Sequence, residues 1–292
     1  MMYVDREQVQ QRMHGRLLKN SILRFIFFCA TIFGLAVLGM LLYRVLTQGL
    51  GWLDAGFLQN FASRRPEDAG IKAALVGSLW LMAVIAPVSL ILGVGTALYL
   101  EEYAKKNKFN DFIKLNISNL AGVPSIVFGL LGLTIFVREL SLGRSILAAG
   151  LTMSLLILPV IVVAAQEAIR SVPTHLREAS FGMGATKWQT IYRVVLPAAI
   201  PGILTGSILA LSRAVGETAP LVVVGLPTFI AFLPAGVLDT ATALPMQIYN
   251  WTSRPQADFQ SVAAAGIIVL LVFLIVMNSI AVFIRNKFQK RY

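Results

Sequence analysis

Charged residues are scarce in this chain of 292 residues, and their scarcity excludes most soluble proteins. Asp, Glu, Lys and Arg make up 13% of the sequence, whereas hydrophobic residues make up 57%. A soluble domain carries about 25% charged residues. Because the charge is missing from long continuous blocks, an ordinary soluble enzyme and a disordered chain are both excluded.

Cysteine and histidine are nearly absent, which excludes two further classes of protein. Cys29 is the one cysteine, so no internal disulfide can form and a disulfide-stapled domain is excluded. The histidines, His14 and His175, are too few and too far apart in sequence for a metal site with the usual ligand spacing. The sequence has no catalytic triad, no acid–base pair and no G-x-x-x-x-G-K-S/T loop. We therefore predict no catalytic residue, metal site or cofactor in this chain.

Long charge-free stretches are abundant instead. A membrane-spanning helix needs about 20 mostly apolar residues, and seven stretches of at least 19 residues contain no Asp, Glu, Lys or Arg. They are 25–43, 73–100, 115–137, 145–166, 194–212, 218–238 and 259–284. The sixth contains Pro220, Pro227 and Pro234, which remove backbone donors, and a broken backbone is not tolerated against lipid. We therefore predict six transmembrane helices and a broken outer segment over 217–238 that is buried in protein or lines a cavity.

The excess of basic residues, a formal charge of +11, orients these spans. With six spans, 17 Lys and Arg residues lie on one side and 8 on the other, and such an excess marks the cytoplasmic side. We therefore predict a multi-pass protein of the bacterial cytoplasmic (inner) membrane with both termini inside, rather than a nucleic-acid-binding protein. Cytoplasmic tails over 1–24 and 285–292 flank a transmembrane domain over 25–284.

The connection 166–197 carries the signals of a short helix. Pro173 suits the first position of that helix, and Gly184 suits a left-handed cap after it. Four residues recur at helical spacing and form one small, mostly apolar face: Leu176, Ala179, Ser180 and Met183. A helix this short is marginal alone in water. Two explanations are open for what covers its face, the chain's own bundle or a groove on a partner protein.

A second helix follows directly. Thr186 and Gln189 form a capping-box pattern, and the helix is expected to run towards Leu196 and to be interrupted at Pro197. The connection therefore reads as a helix, a glycine turn and a helix that re-enters the membrane.

The same connection carries a spaced motif: Glu178-Ala179-Ser180, then Gly184, then Val194-x-Leu196-Pro197. It resembles the EAA loop of ABC-importer permeases, with Ser180 in place of a second alanine and Val194 in place of isoleucine. The resemblance implies an all-α integral membrane protein with the six-span type I (MetI-like) permease fold. It also implies that the first helix is a coupling helix seated in a cleft of an ATP-binding subunit. The implied coupling residues are Leu176, Glu178, Ala179, Ser180, Met183 and Gly184.

Three further segments resemble the phosphate-specific permeases. Residues 121–129 and 213–220 resemble that group as a whole, and residues 244–251 resemble its PstA-type subunit. The resemblance implies a permease subunit that moves inorganic phosphate into the cell by ATP-driven alternating access. Two alternatives stay open, a permease for another oxyanion such as molybdate or sulfate, and a membrane scaffold or sensor that transports nothing. The choice between the PstA and PstC positions is open as well.

The resemblance also implies partners for this chain. ATP and Mg²⁺ would be bound by a separate dimer of ATP-binding subunits (PstB-like), since this chain has no P-loop. A second permease (PstC-like) would supply the other half of the pathway, and an extracytoplasmic phosphate-binding protein (PstS-like) would deliver the substrate. Membrane lipid surrounds the spans, and no nucleic acid is expected.

Four residues are candidates for the substrate pathway: Ser125, Arg213, Glu217 and Thr218. Arg213 and Glu217 are four residues apart, so on a helix they face the same way and can pair. Arg213 lies ~25 Å along a helix from Pro197, in the outer part of the membrane, where an ionisable residue indicates function. Its planar fork suits phosphate oxygens. The alternative is that the pair only anchors the helix at the outer headgroups and that Ser125 packs rather than binds.

Overall fold

The computed structural model of this chain describes residues 6–288, and every regular element within that range is helical. In chain order the α-helices are α1 (Arg6–Gly49), α2 (Ala55–Gln59), α3 (Lys72–Leu98), α4 (Lys108–Leu120), α5 (Ser125–Gly132), α6 (Ile146–Arg170), α7 (Thr174–Gly182), α8 (Lys187–Thr190), α9 (Leu196–Gly216), α10 (Ala219–Val224), α11 (Leu244–Thr252) and α12 (Ala257–Phe288). π-Helical turns extend three of them: Tyr99–Tyr103 after α3, Leu133–Glu139 after α5 and Ile191–Val195 between α8 and α9. Residues 1–5 and 289–292 of the predicted tails, with Lys290 and Arg291, lie outside the described residues.

Five helical stretches within the described range are long and apolar enough to cross a membrane. They are Arg16–Trp52, Lys72–Tyr103, Ile146–Arg170, Lys187–Gly216 and Ala257–Lys287. A sixth crossing exists only if α4 and α5, with the π-helical turn after α5, are counted together, because these two helices meet at an angle of 102°. The predicted set of spans is therefore confirmed in number when this bent pair counts as one.

The expectation of one helix over 115–137 is wrong. The chain turns at residues 121–124, where Pro124 has extended backbone angles and ends the turn before α5. A residue before proline is driven out of the helical region, which favours a break over a kink. Helix α4 has charged residues on one side and no buried residue, a composition typical of a helix at the membrane–water interface.

The core of the bundle is formed by α3, α6 and α9, with α12 beside α9 and α1 on the outside. Small residues bring these helices close, as in other membrane bundles. A Cβ at Gly150 would lie 2.6 Å from Val84 Cγ1, and a Cβ at Gly202 would lie 2.8 Å from Ala168 Cβ. The close contacts of α6 with α3 and of α9 with α6 therefore depend on glycine.

Helix α9 begins without the interruption predicted at Pro197. Residues Lys187–Gly216 form one continuous helical stretch, in which the π-helical turn Ile191–Val195 precedes α9 and Pro197 lies in the first turn of α9. Inside a continuous helix a proline removes one backbone hydrogen bond and crowds the preceding turn. The change of helix type just before Pro197 lets the chain enter the bundle without a break.

The predicted break in the backbone of the outer segment is confirmed, and its predicted burial is confirmed for part of its length. Helix α10 has six residues and ends at Gly225, where φ is +83°, and the chain is irregular from there to α11. In the irregular backbone after α10, Leu226 and Ile230 are buried, as expected of non-helical backbone at membrane depth. Phe229 and Phe232 are about half exposed, so the second half of this segment lies on the surface of the chain.

Candidate functional site

The predicted helix, glycine turn and helix are present at one end of the bundle, which we call the α7 end. Pro173 occupies the position before the first residue of α7 rather than the first position itself. The chain then turns at Gly184, where φ is +81°, and the Gly184 N–H donates to the carbonyl oxygen of Phe181 at 2.9 Å. A Cβ at Gly184 would meet no atom within 4 Å. Gly184 is therefore required for its backbone conformation and not for space.

The capping box of α8 is also confirmed. The Gln189 N–H donates to Thr186 Oγ1 at 3.3 Å, and the Thr186 N–H donates to Gln189 Oε1 at 2.8 Å. Two backbone donors at the start of α8 are thereby satisfied by side chains. The turn between α7 and α8 is fixed at both ends, by the left-handed glycine and by this reciprocal cap.

The expected apolar face of α7 is divided in the structure. Leu176 is half-buried and packs on the buried cluster between α6 and α9, and the Ser180 hydroxyl lies 2.9 Å from the Thr190 hydroxyl. Ala179 is exposed, and Met183 is 88% exposed. Met183 lies beyond the last residue of α7, so the helical repeat does not apply to it. The expectation of one shared face is wrong: α7 has an inner side held by the bundle and a free outer side.

The free side of α7 continues into an exposed aromatic surface and a groove. Trp188 and Tyr192 stack with their ring centroids 6.2 Å apart and are 64% and 61% exposed. The groove beside them has a volume of about 370 Å³ and is lined by Ser180, Met183, Gly184, Ala185, Gln189, Arg193 and Val194. The remaining implied coupling residue, Glu178, is exposed on α7. The α7 end of the bundle therefore has two exposed features, the free side of α7 and the groove beside it.

A polar network joins the helices of the bundle at the α7 end, and no sequence motif predicts it. Glu101, in the π-helical turn after α3, accepts hydrogen bonds from Lys114 at 2.9 Å, Gln166 at 2.9 Å and Arg170 at 2.8 Å. Its side chain is only 11% exposed. The neighbouring Glu102 forms a separate ion pair with α7, described below. The available signal was that these carboxylates are the first charges after the longest charge-free stretch.

The predicted pair of Arg213 and Glu217 is not formed. Arg213 is exposed on the last turn of α9. Helix α9 ends at Gly216, and Glu217 has extended backbone angles, with φ −79° and ψ 123°. The four-residue spacing gives a common face only inside a helix, so the helix end separates the two side chains. Thr218 lies just before α10, half-buried and without a capping hydrogen bond.

Ser125 is the first residue of α5 and is half-buried. Helix α5 packs closely on α10, because a Cβ at Gly129 would lie 2.9 Å from Pro220 Cα. The helix that begins at Ser125 and the helix that follows Thr218 are therefore neighbours. The roles of Ser125, Arg213, Glu217 and Thr218 in a pathway stay predictions.

A wide groove lies between the loop before α6 and the segment after α10. Its volume is about 580 Å³, and Arg144 is its basic residue. A Cβ at Gly225 would lie 3.0 Å from Arg144 Nε, so the left-handed glycine that ends α10 also makes room for this arginine. No motif in the sequence singles out Arg144.

Comparison with known proteins shows what this chain is similar to. The family described as "Binding-protein-dependent transport system inner membrane component" matches residues 89–290. The chain is 35% identical over 283 residues to "Phosphate transport system permease protein PstA 1" of Mycobacterium tuberculosis (strain CDC 1551 / Oshkosh), covering 92% of this chain and 90% of that protein. It is 33% identical over 275 residues to "Probable ABC transporter permease protein YqgI" of Bacillus subtilis (strain 168), covering 90% and 93%.

A solved structure shares the fold. A chain of the inward-facing MetNI methionine ABC transporter aligns with a TM-score of 0.62 and 18% identity, covering 75% of this chain and 97% of that chain. A sequence identity this low supports a shared fold but not a shared function. The all-α, MetI-like permease fold expected from the sequence is thereby confirmed.

Proposed function

This chain belongs to the family of inner membrane components of binding-protein-dependent transport systems, and from that premise we propose that it is the PstA-type permease subunit of an ATP-driven importer of inorganic phosphate. The similarity to a phosphate transport permease over nearly the whole of both chains supports the substrate. No observation favours a scaffold that transports nothing.

The observation that carries the proposal is the two-sided arrangement of α7. Its inner side is attached to the bundle through Leu176, while its outer side, with Ala179 and Met183, is exposed beside a groove. A separate ATP-binding subunit, holding ATP and Mg²⁺, grips this outer side. Movement of that subunit then reaches the spans through α7, because α7 is joined to them on its other side.

The orientation follows from the charge count. The α7 end faces the cytoplasm, where the ATP-binding subunits and the basic flanks of the spans lie. The opposite end, with α10 and the groove around Arg144, faces outward and receives a binding protein loaded with phosphate. A second permease completes the pathway, to which Arg213, Glu217, Thr218 and Ser125 contribute from this chain.

The test is reconstitution of the chain with its neighbours in lipid vesicles. We expect it to co-purify with an ATP-binding subunit and a second permease, and to take up phosphate when Mg-ATP and a loaded binding protein are supplied. Molybdate and sulfate, each with a matching binding protein, are the substrate controls. Faster uptake of either would contradict phosphate as the substrate, and association with an ATPase without uptake of any anion would favour the scaffold.

A further inference from the structure

Arg177 joins α7 to two spans at once. Its Nη1 donates to the carbonyl oxygen of Val172 at 2.6 Å, and its Nη2 donates to the carbonyl oxygen of Ile169 at 2.8 Å and to Glu102 Oε1 at 3.1 Å. Ile169 lies in the last turn of α6 and Val172 just after this helix, where a cation is stabilising. Glu102 lies in the turn that ends the second span. One guanidinium group therefore holds α7, the end of α6 and the end of the span Lys72–Tyr103 together.

The pair of Glu102 and Arg177 is shielded from solvent. The two side chains are 13% and 20% exposed, whereas an exposed ion pair contributes little to stability. Separating a shielded pair leaves each charge without a partner in a poorly solvated position, which is costly. The two side chains are therefore expected to move together when either element is displaced.

We propose that Arg177 is a positioning residue for transport, which transmits displacement of α7 through Glu102 to the span Lys72–Tyr103. This inference rests on the proposed function, because it needs an ATP-binding subunit on the free side of α7. Leu176 holds α7 by apolar packing alone. Such packing resists movement of α7 away from the bundle but does not fix its position along the surface of the bundle. The directional bonds of Arg177 fix the direction in which a push on α7 is passed on.

The adjacent carboxylate provides a structural contrast. Glu101 bonds Lys114 on α4 and Gln166 and Arg170 on α6, and none of these residues lies on α7. The Glu101 bonds therefore hold the second span to α6 without touching the coupling helix. Of these two neighbours, only Glu102 reaches α7.

The experiment uses the complete importer in vesicles and measures phosphate taken up and ATP hydrolysed in the same sample. The variants are Glu102→Gln, Arg177→Gln and the double substitution. We expect each single substitution to lower the phosphate transported per ATP by roughly fivefold or more, and the double to be no lower than the worse single, because both remove one link. Glu102→Gln leaves the carbonyl bonds of Arg177 in place, so it tests the link even if Arg177→Gln fails to accumulate.

The matched control is Glu167→Gln. Glu167 is 66% exposed, pairs with Arg170 at the same end of the bundle and forms no side-chain hydrogen bond to α7. The phosphate transported per ATP by this variant should therefore stay within about twofold of the unsubstituted chain. A parallel fall of uptake and ATP hydrolysis in the Glu102 and Arg177 variants, at an unchanged ratio, would reduce Arg177 to a support of the fold and overturn the inference. If the unsubstituted chain shows no phosphate-stimulated ATP hydrolysis, the proposed function itself fails.

Discussion

Single residues at the α7 end act through backbone conformation as much as through contacts. Gly184 has φ +81° and open space around it. A substitution there therefore costs free energy through the backbone conformation and not through a steric clash. Glu101 is the opposite case, since its importance lies in its partners and not in its backbone. These two residues allow the two kinds of contribution to be tested separately.

Gly184→Ala is expected to preserve membrane insertion and to lower phosphate uptake severalfold. An L-residue in the left-handed region costs about 1–2 kcal/mol, which displaces the turn between α7 and α8 without a clash. Uptake in vesicles and yield from membranes are the measurements. Gly182→Ala is the matched control, because Gly182 also has open space but an ordinary φ. Equal uptake by the two variants would remove the argument from backbone conformation.

Glu101→Gln is expected to lower the melting temperature of the detergent-solubilised chain by several degrees. The substitution removes the charge of a shielded carboxylate and so weakens its charge-assisted hydrogen bonds with Lys114 and Arg170. Thermal unfolding followed by circular dichroism measures the effect. Glu167→Gln, at an exposed carboxylate, should change the melting temperature little, and an equal loss in both variants would contradict the central role of Glu101.

Arg213→Ala is expected to reduce phosphate uptake roughly tenfold or more, the loss of a charge-assisted hydrogen bond of about 1.5–3 kcal/mol. The melting temperature should not change, because Arg213 is exposed and unpaired with Glu217. Arg138→Ala, another exposed arginine at the same end, is the control. Undiminished uptake by Arg213→Ala would favour the interpretation that this residue only anchors its helix.

Whole elements were predictable where local signals define them. Gly184 and the Thr186–Gln189 box specify the turn and the start of α8, and both are confirmed. The 102° break between α4 and α5 was missed because a count of charges records composition and not the direction of the chain. The bonds of Glu101 join residues 65 and 69 positions apart, a distance at which no periodicity in one sequence gives a signal.

The packing of α9 on α6 gives a prediction at this scale. Gly202→Ala would place a Cβ 2.8 Å from Ala168 Cβ, and overpacking of this kind costs about 1–3 kcal/mol. We expect a lower melting temperature in detergent. The control is Gly95→Ala in α3, where a Cβ meets no atom within 4 Å. This variant should leave the melting temperature unchanged or raise it slightly. A stable Gly202→Ala variant would mean that α9 can move away from α6 at no cost.

At the scale of the whole molecule, the two ends of the bundle differ in kind. The α7 end is ordered by ion pairs and a capping box. The opposite end consists mainly of short helices and irregular backbone, which pack through close contacts at glycines. An ATP-driven importer needs a rigid attachment for its ATP-binding subunit and an outer face that can adapt to its substrate. The difference between the two ends suits both requirements.

Helix α1 has 44 residues, which at 1.5 Å per residue corresponds to about 66 Å. The hydrocarbon core of a bilayer is only about 30 Å thick, and Gly49 at the end of α1 packs against the backbone of Ala264 in α12. Even a strongly tilted rod of this length protrudes. Its basic beginning, with Arg16 and Lys19, therefore lies outside the hydrocarbon core, and the first turns of α1 form a stalk that extends from the membrane surface.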